Sequence, residues 1–522
     1  MTTNPNINSM FFNPTDANEI ISLIKWMKPK KSSGPDNISP CLLKQLSRQI
    51  SYPLTILINK SLAEGVFPQA LKTAKVIPIY KSKEKNLLNN HRPISLLSTI
   101  SKIYEKIVHK RLYSFFNPMF YNRQFGFRNK HSTIQAIMEM NSDVLESLDN
   151  KQKTIATFLD LSKAFDTIDH KILLTKLKHY GIRGNPLNWF KSYLNQRTQY
   201  VSYKNNCSSK TTVTYGIPQG SVLGPLLFII YTNDLPSCLK NSKTILFADD
   251  TTIYSTAPHL NQAYVNLNTD LNSLADWFKA NKLSLNVNKT VYMVFSNNHA
   301  DHDNHQFELK IGPERITRVT ETRFLGIILD NKLKWNHHIK HVKTKLSSSL
   351  YAIRMAKNIL ASHQLKTVYN SLFQPYIDYG IILWGTATKK VIHPIQILQK
   401  RAIRLVAKAN YNEHCNPLFK QINVLNIPDT HQLHVNRFMY QYHNNTLPDS
   451  LLSMFTPNRN IHRHNTQNRD NPHILTMRTA SAQLSIKHTG PILWQSTPHT
   501  IQQAQTLTSF TKSYKKHLLQ NY

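Results

Sequence analysis

The stretch Leu246-Phe247-Ala248-Asp249-Asp250-Thr251-Thr252-Ile253-Tyr254 decides how the rest of the chain is read. An apolar approach, two adjacent carboxylates and a β-branched exit predict a strand, a tight turn and a second strand, with the acids at the turn where side chains converge. Such a turn suits hard cations, because Mg²⁺ is usually held by one or two carboxylates together with substrate phosphates. Taken alone, an Asp-Asp pair is also ordinary turn chemistry. A third acid comes from upstream, in Thr157-Phe158-Leu159-Asp160-Leu161-Ser162-Lys163-Ala164-Phe165-Asp166. There Ile155 to Leu159 predicts a short buried strand broken at Asp160. An acid ending such a strand is costly unless paired or metal-bound. A strand-end Asp beside a strand-turn-strand carrying Asp-Asp is a constellation for two-metal phosphoryl chemistry.

Between these stretches stands Tyr215-Gly216-Ile217-Pro218-Gln219-Gly220-Ser221-Val222-Leu223-Gly224-Pro225-Leu226-Leu227-Phe228, whose two Gly around Pro-Gln permit close approach of backbone to a ligand. With this block in view the chain resembles the reverse transcriptases of non-LTR (LINE-type) retrotransposons, especially the jockey-like group. The matching blocks are Phe-Leu-Asp-Leu-Ser-Lys-Ala-Phe-Asp, Gly-Ile-Pro-Gln-Gly-Ser-Val-Leu-Gly-Pro, Phe-Ala-Asp-Asp, Leu-Ser-Leu-Asn-Val-Asn-Lys-Thr and Phe-Leu-Gly-Ile, in the family's order. Five ordered blocks are specific where one would not be. They are firm over about residues 10 to 420 and looser beyond.

The resemblance implies an α+β right-hand polymerase with fingers, a palm built on an antiparallel sheet and a helical thumb. It implies RNA-directed DNA synthesis, in which a primer 3′-hydroxyl attacks the α-phosphate of a dNTP and pyrophosphate leaves. Its partners are an RNA template, a DNA primer or RNA–DNA hybrid, and dNTPs. Two Mg²⁺, with Mn²⁺ as the alternative ion, are expected at Asp160, Leu161, Asp249 and Asp250. Lys81 and Arg92 are expected on the triphosphate, and Gln219 and Gly220 beside the incoming nucleotide. Phe165 is expected against its sugar, where bulk excludes a 2′-hydroxyl. Lys289 is expected near the pyrophosphate as general acid, and Phe324, Leu325 and Gly326 at the primer end. Each has a plainer reading beside it: Phe165 as core, Lys81 and Lys289 as solvated lysines, and Arg92 as part of a basic hairpin.

Composition is consistent with a nucleic-acid partner. The chain has 522 residues, 64 Lys and Arg against 29 Asp and Glu, and hence a net charge of +35. Such an excess argues for a polyanion, since neutralising phosphates releases counterions; a membrane surface is the competing cause. The most apolar run, Val222 to Tyr231, contains Gly224 and Pro225 and falls short of the ~20 residues a spanning helix needs. Met1 to Met10 is polar, without a signal-peptide pattern. The expectation is a protein without membrane attachment that is intracellular, in cytoplasm or nucleus, and not secreted. Cys41, Cys207, Cys238 and Cys415 form no Cys-x-x-Cys pair and suggest neither disulfides nor zinc. Among the 24 His, the pairs His337-His338 and His462 with His464 lack partner cysteines, so solvated or phosphate-facing histidines are the favoured reading. No Gly-x-x-x-x-Gly-Lys-[Ser/Thr] motif occurs.

Along the chain, residues 1–64 read as a helical N-terminal extension, with Asp16 capping an apolar face of Ile20, Ile21, Leu23, Ile24 and Met27, and a second pattern from Pro40 to Leu62. Fingers are expected over 65–153, palm over 154–330 and the whole catalytic core over about 65–330. Lys75 to Lys81 predicts a strand, 82–90 a charged loop, and His91 to Leu97 the return, a flap suited to triphosphate. Helices are expected at Ser101–Phe115, Ser132–Leu148, His170–Tyr180, about Pro186–Leu194 and Leu267–Ala280, with a hairpin joining Tyr200–Tyr203 to Lys210–Thr214. Phe324 to Leu329 reads as one strand. A helical basic thumb is expected over 331–420, with Lys400, Arg401, Arg404 and Lys408 along a duplex; the same face also suits a protein partner. A basic C-terminal region fills 421–522, with a polar linker at Asn458–Asn471 and a short helix at Thr508–Leu519. No room is seen for an endonuclease domain, so target nicking is expected from elsewhere. The other-class alternative is a catalytically inactive nucleic-acid-binding relic of a mobile element, which the intact acid triad disfavours. An intron-encoded maturase would share the palm but differ after the thumb.

Overall fold

The computed structural model describes residues 5–82, 84–204, 206–298, 300–301, 307–461 and 469–522. It is a mixed α/β structure that divides into two compact units, each discontinuous in sequence: 1–127 with 160–240 and 270–286, and 128–159 with 241–269 and 287–522.

The first unit is organised by a five-stranded sheet. Thr73–Tyr80 pairs antiparallel with His91–Leu96 and parallel with Arg197–Tyr203, whose other edge takes Asn206–Cys207 and Thr211–Val213. The expected flap strands are present, but the expected hairpin is corrected: Ser202 and Tyr203 pair with Cys207 and Asn206, and it is Arg197–Gln199 that pairs with Thr211–Val213. Helices bury an aromatic cluster beside this sheet: Phe67 meets Trp189 at 5.3 Å and Tyr193 at 5.1 Å, both edge-on. Aromatic rings of this size supply much of a core's burial, and edge-to-face pairs add to it. The N-terminal helix Ala17–Trp26 is capped by Asp16, as its sequence predicts. The Pro40–Leu62 pattern is instead two helices, Pro40–Gln45 and Ser47–Glu64, because the chain leaves helical geometry at Leu46.

The second unit contains the sheet that carries the acidic stretch. Its order is Thr317–Arg318, Val291–Phe295, Lys153–Leu159, Asp250–Ala257, Lys243–Phe247. From Thr154 to Leu159 the central strand is buried at every position, which explains its unbroken apolar reading. One of its two buried threonines is satisfied locally: the Thr154 hydroxyl lies 2.7 Å from Ser147 Oγ and 2.9 Å from Thr256 Oγ1. The expected single strand Phe324–Leu329 is corrected: the chain reverses at Leu325-Gly326, giving a hairpin of Glu321–Phe324 and Ile327–Asp330. An apolar residue on each side of the turn hid the reversal.

Beyond it the unit is helical. Asn336–Ala356, Ser362–Leu372 and Lys389–Ala407 are helices within the span 331–420 expected to be helical and basic, and the last carries Lys400, Arg401 and Arg404. Leu507–Gln520 forms the expected terminal helix. The segment expected as a linker is tied at its ends, where Asn458 N donates to Asn471 O at 3.0 Å; His462 and His464 lie outside the described residues. His337 pairs with Glu321, while burial, with His341 and Arg323 nearby, pushes His338 down to about 4. These adjacent histidines thus have different surroundings and do not act as a pair. No described helix is long and apolar enough to cross a membrane. The four cysteines are free.

Candidate active site

In the second unit, the acidic turn is a two-residue reversal. Phe247 pairs with Asp250, leaving Ala248 and Asp249 between the strands. Ala248 takes a left-handed φ of 57°, which opens the tight turn and holds its side chain buried. Asp249 is half-buried and Asp250 exposed, so their carboxylates have access to solvent ions. Across the sheet Leu159 lies opposite Thr251, and Asp160 is the next residue in the chain. These hard oxygen donors are of the kind Mg²⁺ accepts. Among the described residues no three His, Cys, Asp or Glu side chains are gathered as a metal cluster.

The same sheet positions two further expected residues. Val291 pairs with Phe158, so exposed Lys289 leads into the strand beside the central one. Phe324 is buried and its ring lies 5.3 Å from that of Phe158. The reversal after Phe324 needs Gly326: its φ is 88°, and a Cβ there would sit 3.1 Å from the Tyr379 ring. Tyr379 donates its hydroxyl to Leu325 O and lies 3.1 Å from Thr133 Oγ1, pinning the turn.

The residues expected on the nucleotide belong to the first unit. Arg92 is opposite Ile79, and Lys81 N bonds Asn90 O at 2.8 Å, continuing the register. Residues directly opposite, and those two apart, share a face, so Lys81 and Arg92 project from the same side of the flap, both exposed. Asp160 O accepts from Asn286 N at 2.8 Å, and Leu161 pairs with Leu285. Phe165 is half-buried, stacked on Phe228 at 4.7 Å with Phe127 edge-on at 6.2 Å. Its core role is therefore real, and the uncovered part of the ring remains accessible.

The loop carrying Gln219 is braced from several sides. Gln219 O accepts from Ser95 N at 2.8 Å, and the next residue, Gly220, has φ 134°. A Cβ on Gly220 would come within 2.3 Å of Ser95 O, so only glycine fits this crossing. Gln219 Nε2 donates to both oxygens of Asp166, at 3.2 and 3.1 Å. Burial raises the Asp166 pKa above the usual carboxylate range, although the Gln219 bond and Lys163 work against it.

Sequence reading missed one brace altogether. Glu105, wholly buried on the helix Thr99–Phe116, accepts from Val222 N at 2.5 Å, Leu223 N at 3.3 Å and Ser101 Oγ at 3.1 Å. It thereby satisfies free N–H groups at the start of the helix Gly224–Tyr231, just after the Pro-Gln-Gly turn. Burial pushes its carboxyl up, opposed by the charge of Arg197 and by these donors. Arg197 is itself 1% exposed and donates to Tyr193 O at 3.1 Å.

Residues 80–329, which contain the acidic turn, the Gln219 loop and the flap's return strand, match the reverse transcriptase (RNA-dependent DNA polymerase) family. The chain therefore carries a reverse transcriptase domain. Within that class its sequence is similar to polymerases of jockey-like non-LTR retrotransposons. It is 30% identical over 449 residues to a probable RNA-directed DNA polymerase from transposon BS of Drosophila melanogaster, covering 82% of this chain and 49% of that protein. Similarity to the RNA-directed DNA polymerase from mobile element jockey of the same species is 28% over 453 residues, covering 83% and 48%. For the probable polymerase from transposon X-element, also of Drosophila melanogaster, it is 27% over 458 residues, covering 85% and 50%. The chain spans about half the length of these relatives.

Proposed function

We propose that this chain synthesises DNA on an RNA template, extending a primer with dNTPs. The observation that carries the reading is the register Leu159 opposite Thr251, which sets the strand running into Asp160 alongside the strand that opens at Asp250. On this reading residues 65–153 act as fingers, 154–330 as palm and 331–420 as thumb, followed by the basic region 421–522. Asp160, Leu161, Asp249 and Asp250 would hold two Mg²⁺. When bound, these ions neutralise charge on the attacking and leaving oxygens. Lys81 and Arg92, projecting from one face of the flap, hold the triphosphate as cations suited to phosphate oxygens. Gln219 and Gly220 border the base and sugar, Lys289 protonates departing pyrophosphate, and Phe324, Leu325 and Gly326 seat the primer end. Most of the rate then comes from positioning and charge neutralisation. On the same reading it works in the cytoplasm or nucleus, where template and target would be met.

The test is dNTP incorporation on a primed RNA template with Mg²⁺, parent beside Asp249→Asn. Activity in the parent and a loss of at least about 100-fold in the variant is the expected result. Tight template binding without incorporation by either protein would favour the inactive relic instead. Phe165→Val should retain synthesis while admitting ribonucleotides more readily, and unchanged sugar discrimination in single-nucleotide kinetics would remove Phe165 from that role.

A further inference from the structure

Where the helices Asn336–Ala356 and Lys389–Ala407 end lies a cavity of about 440 Å³ whose charged and aromatic lining is Tyr351, Arg354, Lys357, Arg401, Arg404 and Tyr411. Four are cations, and no described residue lining the cavity is acidic. The nearby acid, Glu413, turns its carboxylate to Asn410 N at 3.2 Å, and its carbonyl holds Arg404 Nε at 2.8 Å. Arg354 and Arg404 lie in the last turns of their helices, where a cation complements the helix dipole. That accounts for two arginines at most.

It does not account for the tyrosines. Tyr351 is 65% exposed and Tyr411 73%, so two large rings stand in water at the edge of a basic hollow. A paired duplex keeps its base faces stacked inside and offers chiefly phosphates, for which a flat basic face suffices. Unpaired nucleotides offer base faces as well. Aromatic side chains that stack bases, set in a cationic groove that follows the backbone, are how single strands are held without sequence preference.

We propose that this cavity binds unpaired nucleotides of single-stranded nucleic acid, the bases stacking on Tyr351 and Tyr411 and the phosphates meeting Arg354, Lys357, Arg401 and Arg404. It rests on the nucleic-acid partner of the reading above but not on catalysis. The cavity distinguishes single strands, such as a template region outside the hybrid, from the duplex that a thumb accompanies.

The experiment measures binding of the full chain to fluorescein-labelled single-stranded RNA of roughly 12 nucleotides, to DNA of the same sequence, and to the matching RNA–DNA duplex. Replacing both tyrosines, Tyr351→Ala with Tyr411→Ala, should weaken single-strand binding about tenfold or more and leave duplex binding unchanged. Tyr351→Phe with Tyr411→Phe should keep the parent affinity, since phenylalanine still stacks. Arg401→Ala should weaken every probe and lower the salt dependence. Loss on RNA alone would identify template RNA as the ligand; equal loss on RNA and DNA would identify any single strand. Unchanged single-strand affinity in the double alanine variant, or equal loss on duplex, would overturn the proposal. Primer extension run in parallel separates the two readings, because a parent that binds through the tyrosines without extending a primer fails only as a polymerase.

Discussion

The Gln219 loop and the acidic turn are held in opposite ways. The loop hangs on buried and half-buried polar groups distant in sequence: the Ser95 amide, the Asp166 carboxylate and Glu105, which is 117 residues from Val222. The turn is set by a neighbouring pair in its own hairpin, Phe247 opposite Asp250, with its acids at or near the surface. Damage to the loop's braces should therefore cost stability and activity together. Damage to the acids should be felt mainly in activity.

The largest expected effect is at Glu105. Glu105→Ala leaves two backbone N–H groups and the buried Arg197 guanidinium without their carboxylate, and breaking such a buried arrangement costs about 3–5 kcal/mol. Chemical denaturation should show that loss, while Glu105→Gln, which keeps an acceptor oxygen, recovers part of it. Equal stability of the parent and the alanine variant would dismiss Glu105 as a brace. Gly220→Ala comes next. The new Cβ meets Ser95 O and sits at a φ that L-residues avoid, which costs about 1–3 kcal/mol. Primer extension should fall with it, since the same shift moves Gln219.

The difference between the two regions also explains what the sequence discloses. The acidic turn was legible because strand alternation, turn chemistry and adjacent acids are all local signals. So were the flap and the burial of Ile155 to Leu159. Glu105 was not legible: amid Lys102, Lys106 and Lys110 it reads as one charge on a solvated helix face, and only tertiary packing buries it. Asp166 stood inside a matching block, yet its bond to Gln219 spans 53 residues, and no local pattern announces that. The reversal at Leu325-Gly326 was lost for another reason, because apolar residues on both sides continue a strand-like pattern through the turn.

Reliance on polar ties extends through the first unit to Glu19, and gives it a pH dependence. Burial opposes the Glu19 charge, but hydrogen bonds from Lys110, Thr15 and Arg111 overcome it and bring its pKa from 4.5 down to about 2. A carboxyl with a lowered folded-state pKa adds stability that is present above 4.5 and lost as pH falls toward 2. Glu19→Gln should therefore cost about 1–2 kcal/mol at neutral pH and progressively less below pH 4.5, where the parent gives up the same term. A penalty that stayed constant down to pH 3, about midway in that window, would assign the effect to packing.

The smallest expected change in stability belongs to the residue expected to matter most for activity. Asp249 and Asp250 are adjacent acids at a solvent-accessible turn, where like charges repel. Asp249→Asn keeps the shape of the side chain, its hydrogen-bonding oxygen and its compatibility with a turn, while relieving that repulsion. Its stability should stay within about 0.5 kcal/mol of the parent, with any change toward greater stability, although incorporation collapses. Stability and function would then be separated at the turn and joined at the loop. If Asp249→Asn instead unfolded the protein as readily as Glu105→Ala, the carboxylate would be a structural tie, and the acidic turn would have to be read as a second braced loop.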